Sequence, residues 1–284
     1  MSLMLRLLSV SVAVSIFSFG ATDAQITKFV KKGLSKNRSI EVLSIKIIDK
    51  QLLSNPKGWE AYFVKFKLKL KRGKEILDIE DNDIIFAKGD FVSPDFIDLK
   101  TNRSIKHSLS PRVKEIYYND EHLLFGDKNS KHKLLIFSDP NCPFCKDVVP
   151  EAIEIVKKYP KTFSLYYYHL PLLKLHPGSN ALCKAMILFQ KNGRNDLIEK
   201  IYKSDFDYKQ KDEKKVLEEI NKKLDTNLTL KEINQKWIID QLKKDIKMAK
   251  DLMISGTPTL FIDGKKDPLK EEYKKFIPKE DKGN

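Results

Sequence analysis

Cysteine is scarce in this sequence. Its 284 residues contain three cysteines, Cys142, Cys145 and Cys183, which is too few for a small scaffold held together by disulfides. Neither a second Cys-x-x-Cys pair nor a His-x-His pair accompanies Cys142 and Cys145. A zinc site at these two cysteines would therefore lack the two further ligands that such sites need. The hydrophobic fraction of 41% is that of a folded protein, and the length allows two domains with cores.

Long apolar runs are also rare. One uncharged, mostly apolar run follows Arg6 over residues 7–19, and the small residues Gly20 and Ala24 come after it. The run is too short for a comfortable membrane span, and this order of features is typical of a secretory signal peptide. We predict a signal peptide over residues 1–24, cleaved after Gly20 or Ala24; an uncleaved anchor is the alternative. No later run could span a bilayer, so the rest is predicted to be exported and soluble.

The basic charge does not point to a nucleic-acid partner. The net charge is +14, with far more lysine than arginine. A basic protein can bind nucleic acid or anionic lipid, but these lysines are scattered along the chain, and no nucleic-acid-binding motif accompanies them. We therefore expect no nucleic-acid partner.

The region before the dithiol predicts a small α+β unit. A short helix over residues 26–34 is followed by strands over 40–48, 59–71 and 83–87. In the second strand, apolar residues alternate with lysines, which predicts one buried face and one solvated face. A helix followed by strands without crossover helices indicates an antiparallel α+β unit. It has no cysteine and no catalytic constellation, so assembly is its expected role.

The central motif is a dithiol placed between a strand and a helix. An apolar strand over residues 133–137 leads to Cys142-Pro143-Phe144-Cys145, and a helical run follows. A cysteine at a helix start meets unpaired backbone N–H groups and the positive end of the helix dipole, which favour the thiolate. The thiolate is the form that attacks disulfides. We expect an exposed Cys142 to attack and Cys145 to resolve; a zinc half-site and an inert structural disulfide are the alternatives.

A second motif lies near the C-terminus, where Thr257-Pro258 precedes a strand and Asp263-Gly264 forms the following turn. A proline at a strand entry removes a backbone donor and leaves a surface open to an incoming chain. A cis Thr257–Pro258 bond would fix the directions of its backbone groups for that purpose. An ordinary trans proline ending a loop is the alternative, and on residue statistics alone it is favoured.

The chain between the two motifs is predicted to be mostly helical. Ser179 is expected to cap a helix over residues 180–191, and Pro150 to kink the helix after the dithiol. Cys183 lies in the capped helix, where we expect a small buried hydrophobe; a regulatory or intermolecular thiol is the alternative. A capping box at Thr229 predicts a further long helix, whose inner side would carry Ile233, Trp237, Ile238, Leu242, Ile246 and Ala249.

These features resemble the thioredoxin superfamily, and within it the bacterial periplasmic disulfide interchange proteins of the DsbC/DsbG type, with DsbA-like proteins as second choice. The resemblance is carried by Pro150, Gly256-Thr257-Pro258-Thr259 and the segment Phe137-Ser138-Asp139-Pro140-Asn141-Cys142-Pro143-Phe144-Cys145-Lys146. It implies an α/β fold: a thioredoxin-like catalytic domain over residues 128–284 with a helical insertion at about residues 170–250. A small α+β, cystatin-like dimerisation domain over residues 25–107 and a linker over 108–127 would precede it.

The resemblance also implies roles. Cys142 and Cys145 would be catalytic, Pro258 would be cis and face them, and the substrate-binding residues would be Thr257, Pro258, Pro143 and Phe144. The implied partners are cysteine-containing exported proteins, a membrane redox protein that recycles the dithiol, and a second copy in a homodimer. No cofactor and no metal are expected.

Two departures from the family pattern and two alternative functions accompany these expectations. Ile136 stands where thioredoxin carries a buried acid, so that route for proton handling is absent. Pro143-Phe144 lacks the histidine of the DsbA motif, which predicts a couple less oxidising than that of DsbA. The alternatives are a holdase chaperone with an incidental dithiol, and a copper-handling protein that uses the two cysteines with a histidine such as His169.

Overall fold

The computed structural model describes residues 20–279. The apolar run of the predicted signal peptide lies outside these residues. Within them, none of the helices is both long and apolar enough to cross a membrane. The first helix begins at Asp23, earlier than predicted, because Thr22 and Gln25 form a capping box at its start.

The described chain divides into two compact units after Pro94. Its α-helices are α1 Asp23–Leu34, α2 Pro143–Lys158, α3 Ser179–Lys191, α4 Asn195–Lys203, α5 Glu213–Leu224, α6 Leu230–Ile233 and α7 Lys236–Asp251. Its strands are β1 Ile40–Leu52, β2 Glu60–Arg72, β3 Glu75–Lys88, β4 Phe91–Ser93, β5 Ile97–Asp98, β6 Arg103–Ser104, β7 Leu123–Gly126, β8 His132–Ser138, β9 Phe163–His169, β10 Thr259–Ile262 and β11 Lys265–Asp267.

The first unit is an antiparallel sheet in the order β1-β2-β3-β4, with α1 packed against it. Strand β3 begins at Glu75, eight residues before its predicted start, because its acidic half pairs with the lysine row of β2. Glu80 there lies 2.5 Å from Lys65 and 3.0 Å from Lys67. The prediction of one buried face for β2 was wrong in its first half, where Ala61, Tyr62, Phe63 and Val64 are all buried.

The second unit contains a five-stranded sheet in the order β11-β10-β8-β9-β7. Strands β8 and β9 are parallel and joined by α2, whereas β7, β10 and β11 run antiparallel to their neighbours. The segment predicted as a linker, 108–127, contains the edge strand β7 and a 3-10 turn at Glu115–Tyr117. Strand β7 has four residues, too few for a recognisable period.

Helices α3 to α7 lie between β9 and β10 in the chain. They contribute to the core on the sheet face that carries Leu134 and Ile136, and the end of α7 also packs on the opposite face, which carries Leu135 and Phe137. The capping box at Thr229 is present, but it starts the one-turn α6, and the long helix α7 begins anew at Lys236. The inner side predicted for that helix was wrong at two positions, because Trp237 and Ile246 are 39% and 38% exposed. The sequence predicted one helix where the structure has two, α6 and α7. The residues of α7 that face the core therefore differ from those predicted.

Candidate active site

Strand β8 and helix α2 together position the dithiol. Cys142 is the N-cap residue of α2, and Pro143 is the first helical residue, where its missing N–H costs no hydrogen bond. The carbonyl oxygen of Cys142 accepts hydrogen bonds from the backbone N–H groups of Cys145 at 2.9 Å and Lys146 at 3.1 Å. The side chain of Cys142 is thereby held at the open end of the first helical turn, and Cys145 lies one turn further in.

The pKa values of the two thiols are shifted in opposite directions. A hydrogen bond from the Cys145 thiol lowers the pKa of Cys142 to about 5, and the backbone N–H groups of Cys145 and Phe144 contribute to the shift. Burial is the main reason that the pKa of Cys145 is raised, and the neighbouring Cys142 adds to it. The pair therefore supplies one thiolate and one protonated thiol at neutral pH, which is the division of labour needed for attack followed by resolution.

The expectation of an exposed Cys142 was wrong. Its side chain is recessed at the N-cap, with 5% of the residue exposed, while Cys145 is fully buried. The two residues between the cysteines stand at the surface, and the ring of Phe144 is 71% exposed. A partner must therefore bring its own sulfur down to Cys142 past Pro143 and Phe144, which suits an extended polypeptide.

The Thr257–Pro258 bond is cis, as the family resemblance implied and against the trans alternative. The carbonyl oxygen of Thr257 lies 3.5 Å from Cys142 Sγ and accepts its hydrogen bond when the thiol is protonated. The motif from the far end of the chain therefore closes over the dithiol. A cavity of about 540 Å³ opens beside the Thr257–Pro258 motif. It is lined by Gly256, Thr257, Pro258, Ile105, Lys266 and Leu269 among others.

Sequence reasoning missed Asp139, which organises the loop between β8 and α2. Its carboxylate is fully buried, and it accepts hydrogen bonds from the backbone N–H groups of Asn141 at 2.9 Å and Leu172 at 2.7 Å. The Ser179 hydroxyl donates to it at 2.5 Å, and His176 Nδ1 lies at 3.0 Å. Ser179 was expected to be a helix cap; its hydroxyl instead joins α3 to the dithiol loop. No spacing pattern marks a lone carboxylate of this kind.

The histidine proposed to bind copper lies in the core of the second unit. His169, the proposed copper ligand, is buried; its backbone N–H donates to Asp245, and its ring contacts that of Tyr167. Within residues 20–279, no three His, Cys, Asp or Glu side chains are grouped so as to hold a metal ion.

Cys183 is fully buried in α3, and burial raises its pKa well above the ordinary value. We expect one thiol, Cys142, to react within minutes when the folded, reduced protein is treated with a maleimide at neutral pH, while Cys183 stays unmodified until denaturant is added. Mass spectrometry of the digested protein locates the label. Labelling of Cys183 at the rate of Cys142 in the native protein would contradict its burial.

A known protein family matches the part of the chain that contains this arrangement. The thioredoxin family model matches residues 118–279. Similar solved structures include Bacillus subtilis BdbD, 17% identical over 59% of this chain and 92% of that one with a TM-score of 0.46. Another is Proteus mirabilis ScsC, 23% identical over 57% of this chain and 72% of that one, with a TM-score of 0.43.

A periplasmic thioredoxin-like protein from Salmonella enterica serovar Typhimurium is 21% identical over 57% of this chain and 92% of that one, with a TM-score of 0.45. The search of curated proteins finds no match. The family model covers more than half of the 284 residues and includes both the dithiol and the Thr257–Pro258 motif. The chain therefore belongs to the thioredoxin family.

Proposed function

We propose that this protein is an exported thiol–disulfide interchange enzyme that acts on cysteines of folding periplasmic proteins. The observation that carries the proposal is the pairing of a recessed Cys142 of low pKa with the fully buried, protonated Cys145. The Thr257 carbonyl across from Cys142 supplies a backbone acceptor for an extended client. The exposed Phe144 ring offers an apolar contact on the approach side.

The proposed reaction has two steps. The Cys142 thiolate attacks one sulfur of a client disulfide, forms a mixed disulfide, and releases the other client sulfur as a thiolate. The Cys145 sulfur then attacks Cys142 Sγ, the bond between Cys142 and the client breaks, and the client sulfur takes up the proton that Cys145 gives up. The client disulfide is reduced by two electrons, and the dithiol is oxidised to the Cys142–Cys145 disulfide. The reverse sequence donates a disulfide.

The partner that recycles the dithiol decides the direction. Isomerases and reductases are kept reduced in the cell, whereas disulfide donors are kept oxidised. We favour an isomerase or oxidase with a broad range of unfolded clients, recycled by a membrane redox protein. Alkylation of thiols in acid-quenched cells, followed by a gel-shift assay, separates the two directions.

A homodimer through the first unit is part of the proposal. Large apolar side chains lie at the surface of its sheet, with Leu52 75%, Phe91 74% and Ile76 60% exposed. Burial of such side chains against a second copy would remove them from water. Sedimentation of the whole protein at micromolar concentration tests this, and a monomer would contradict the proposed dimer.

The redox couple is expected to be less oxidising than that of DsbA, whose potential is about −120 mV. No histidine lies between the cysteines to stabilise the thiolate, and the pKa of Cys142, about 5, exceeds the value of about 3.5 in DsbA. A less stabilised thiolate makes the reduced form less favourable. Equilibration with glutathione buffers gives the potential, and a value at or above that of DsbA would contradict the prediction.

The function itself is tested by two assays run on the same preparation: reduction of insulin, and reactivation of a scrambled disulfide protein. We expect activity in at least one of them, and its loss on substitution of Cys142. If the Cys142→Ala variant protected clients from aggregation as the parent does and the parent were inactive in both assays, the chain would be a holdase instead.

A further inference from the structure

A row of buried hydroxyl groups begins at the resolving cysteine. Ser138 is the last residue of β8, and its side chain lowers the pKa of the Cys145 thiol, as does the backbone of Asp139. Its Oγ lies 2.7 Å from the hydroxyl oxygen of Tyr202 in α4. The Tyr202 hydroxyl in turn hydrogen-bonds to that of Tyr167 in β9. Three hydroxyls from three different elements therefore form a continuous hydrogen-bonded row next to Cys145.

All three residues of this row are buried. Ser138 and Tyr167 are fully buried, and Tyr202 is 2% exposed. The titratable groups next to the row are Cys145 from α2, Cys183 from α3 and His169 from β9, whose ring contacts that of Tyr167. In such a low-dielectric site a hydrogen bond to an ion is stronger than in water, and hydrogen bonds in a chain polarise one another.

The row lies next to a position of β8 at which this sequence has no acidic residue. Ile136 occupies the position six residues before Cys142, its side chain is fully buried, and Ser138 lies on the same face of β8, two residues further on. Burial opposes ionisation of Cys145, yet the second step of exchange needs this sulfur as a nucleophile. Some group must therefore stabilise negative charge on Cys145 as it attacks.

We propose that the hydroxyls of Ser138, Tyr202 and Tyr167 form a directed hydrogen-bond chain that stabilises the charge developing on Cys145 during release of the client. The Tyr167 hydroxyl donates to Tyr202, Tyr202 donates to Ser138, and Ser138 donates to Cys145 Sγ. The inference rests on the proposed function of the dithiol. In this proposal Ser138 acts directly on the reacting sulfur as a catalytic residue, whereas the two tyrosines act through it and are positioning residues.

The step balances without any further reactant. Cys145 gives up its proton and its sulfur forms a bond to Cys142 Sγ, while the electron pair of the broken bond leaves with the client sulfur. The client sulfur takes up the proton and departs as a thiol. The hydroxyl chain keeps its three protons throughout, and only the strength of the bond from Ser138 to Cys145 changes.

The two steps can be followed separately with dithiobis(nitrobenzoate). Attack by Cys142 releases one coloured thionitrobenzoate, and attack by Cys145 on the mixed disulfide releases the second. For Ser138→Ala we expect the first phase to keep its rate within about twofold and the second phase to slow about tenfold, because a hydrogen bond to a charged group is lost. The pH midpoint of the second phase should rise by about one unit, the shift that corresponds to a tenfold change.

Matched variants separate this role from a structural one. Tyr202→Phe removes one hydroxyl and keeps the ring; it should slow the second phase about threefold, as expected for loss of cooperative polarisation, and Ser138→Thr should restore most of the rate. Ser164→Ala is the control, since the Ser164 hydroxyl is buried in β9 and has no hydrogen-bond partner among residues 20–279; both phases should keep their rates.

Equal slowing of both phases in Ser138→Ala and Tyr202→Phe, or an unchanged pH midpoint of the second phase, would overturn the inference. Absence of the first phase in the parent protein would instead overturn the proposed function of Cys142, so the two failures are distinguishable.

Discussion

Substitution of Cys142 by alanine is expected to reduce disulfide exchange by roughly a thousandfold or more, because it removes the only group that can form the mixed disulfide. Cys145 cannot replace it, since burial raises the pKa of Cys145 and leaves its sulfur inaccessible. The rate of insulin reduction, measured with excess dithiol reductant and corrected for the uncatalysed reaction, gives the loss directly.

Two companion variants control this result. Cys183→Ala removes the third thiol from a buried site in α3 and should leave exchange within about twofold of the parent, as a substitution remote from the reacting sulfurs. Cys145→Ala should retain attack but lose resolution, so that client proteins accumulate as mixed disulfides on non-reducing gels. Half of the parental activity remaining in Cys142→Ala would show that the exchange takes place elsewhere.

Substitution of Asp139 by alanine is expected to lower the free energy of unfolding by about 3–5 kcal/mol, the usual result of removing one partner from a buried charged network. The loss leaves Asn141 N, Leu172 N and the Ser179 hydroxyl without their shared acceptor. Asp139→Asn keeps one carbonyl oxygen and should fall between the parent and the alanine variant. Urea denaturation of the reduced protein measures the change.

Asp147, an exposed carboxylate in the helix α2 that follows the dithiol loop, supplies the matched control. Asp147→Ala should change stability by no more than about 0.5 kcal/mol, as is usual for surface positions. If Asp139→Ala were as stable as Asp147→Ala, the carboxylate of Asp139 would not be what holds the dithiol loop to α3.

The parts of the fold that rest on local pattern were predictable from sequence. Strand β8, the helix after the dithiol and strand β10 all follow from apolar runs of sufficient length next to turn residues. The acidic half of β3 was not predictable, because its pairing with Lys65 and Lys67 depends on a neighbouring strand. Strand β7 was missed because its four residues are stabilised by β9 and not by their own pattern.

The same division holds within the site. The two cysteines and the Thr257–Pro258 pair could be recognised because each is a short motif in a recognisable context. Asp139, Ser138 and Tyr202 could not, since their roles arise from contacts between residues 40 and 64 positions apart in the chain. The recessed position of Cys142 was also unpredictable, because burial at the N-cap depends on the loop from Ser255 to Thr259 packing over it.

The most direct test of the account is a pH titration of the Cys142 thiolate in the reduced protein, followed by ultraviolet absorbance and by the rate of alkylation with iodoacetamide. The folded pKa lies below the value of about 8.5 for a free cysteine, so the thiolate stabilises the reduced fold at and above that pH, and this contribution is lost as the pH falls through the folded value. We predict a midpoint near pH 5. Above that pH the rate of alkylation should stay constant. A midpoint near about 8.5, that of an ordinary thiol, would contradict the claim that Cys142 is the nucleophile of this enzyme.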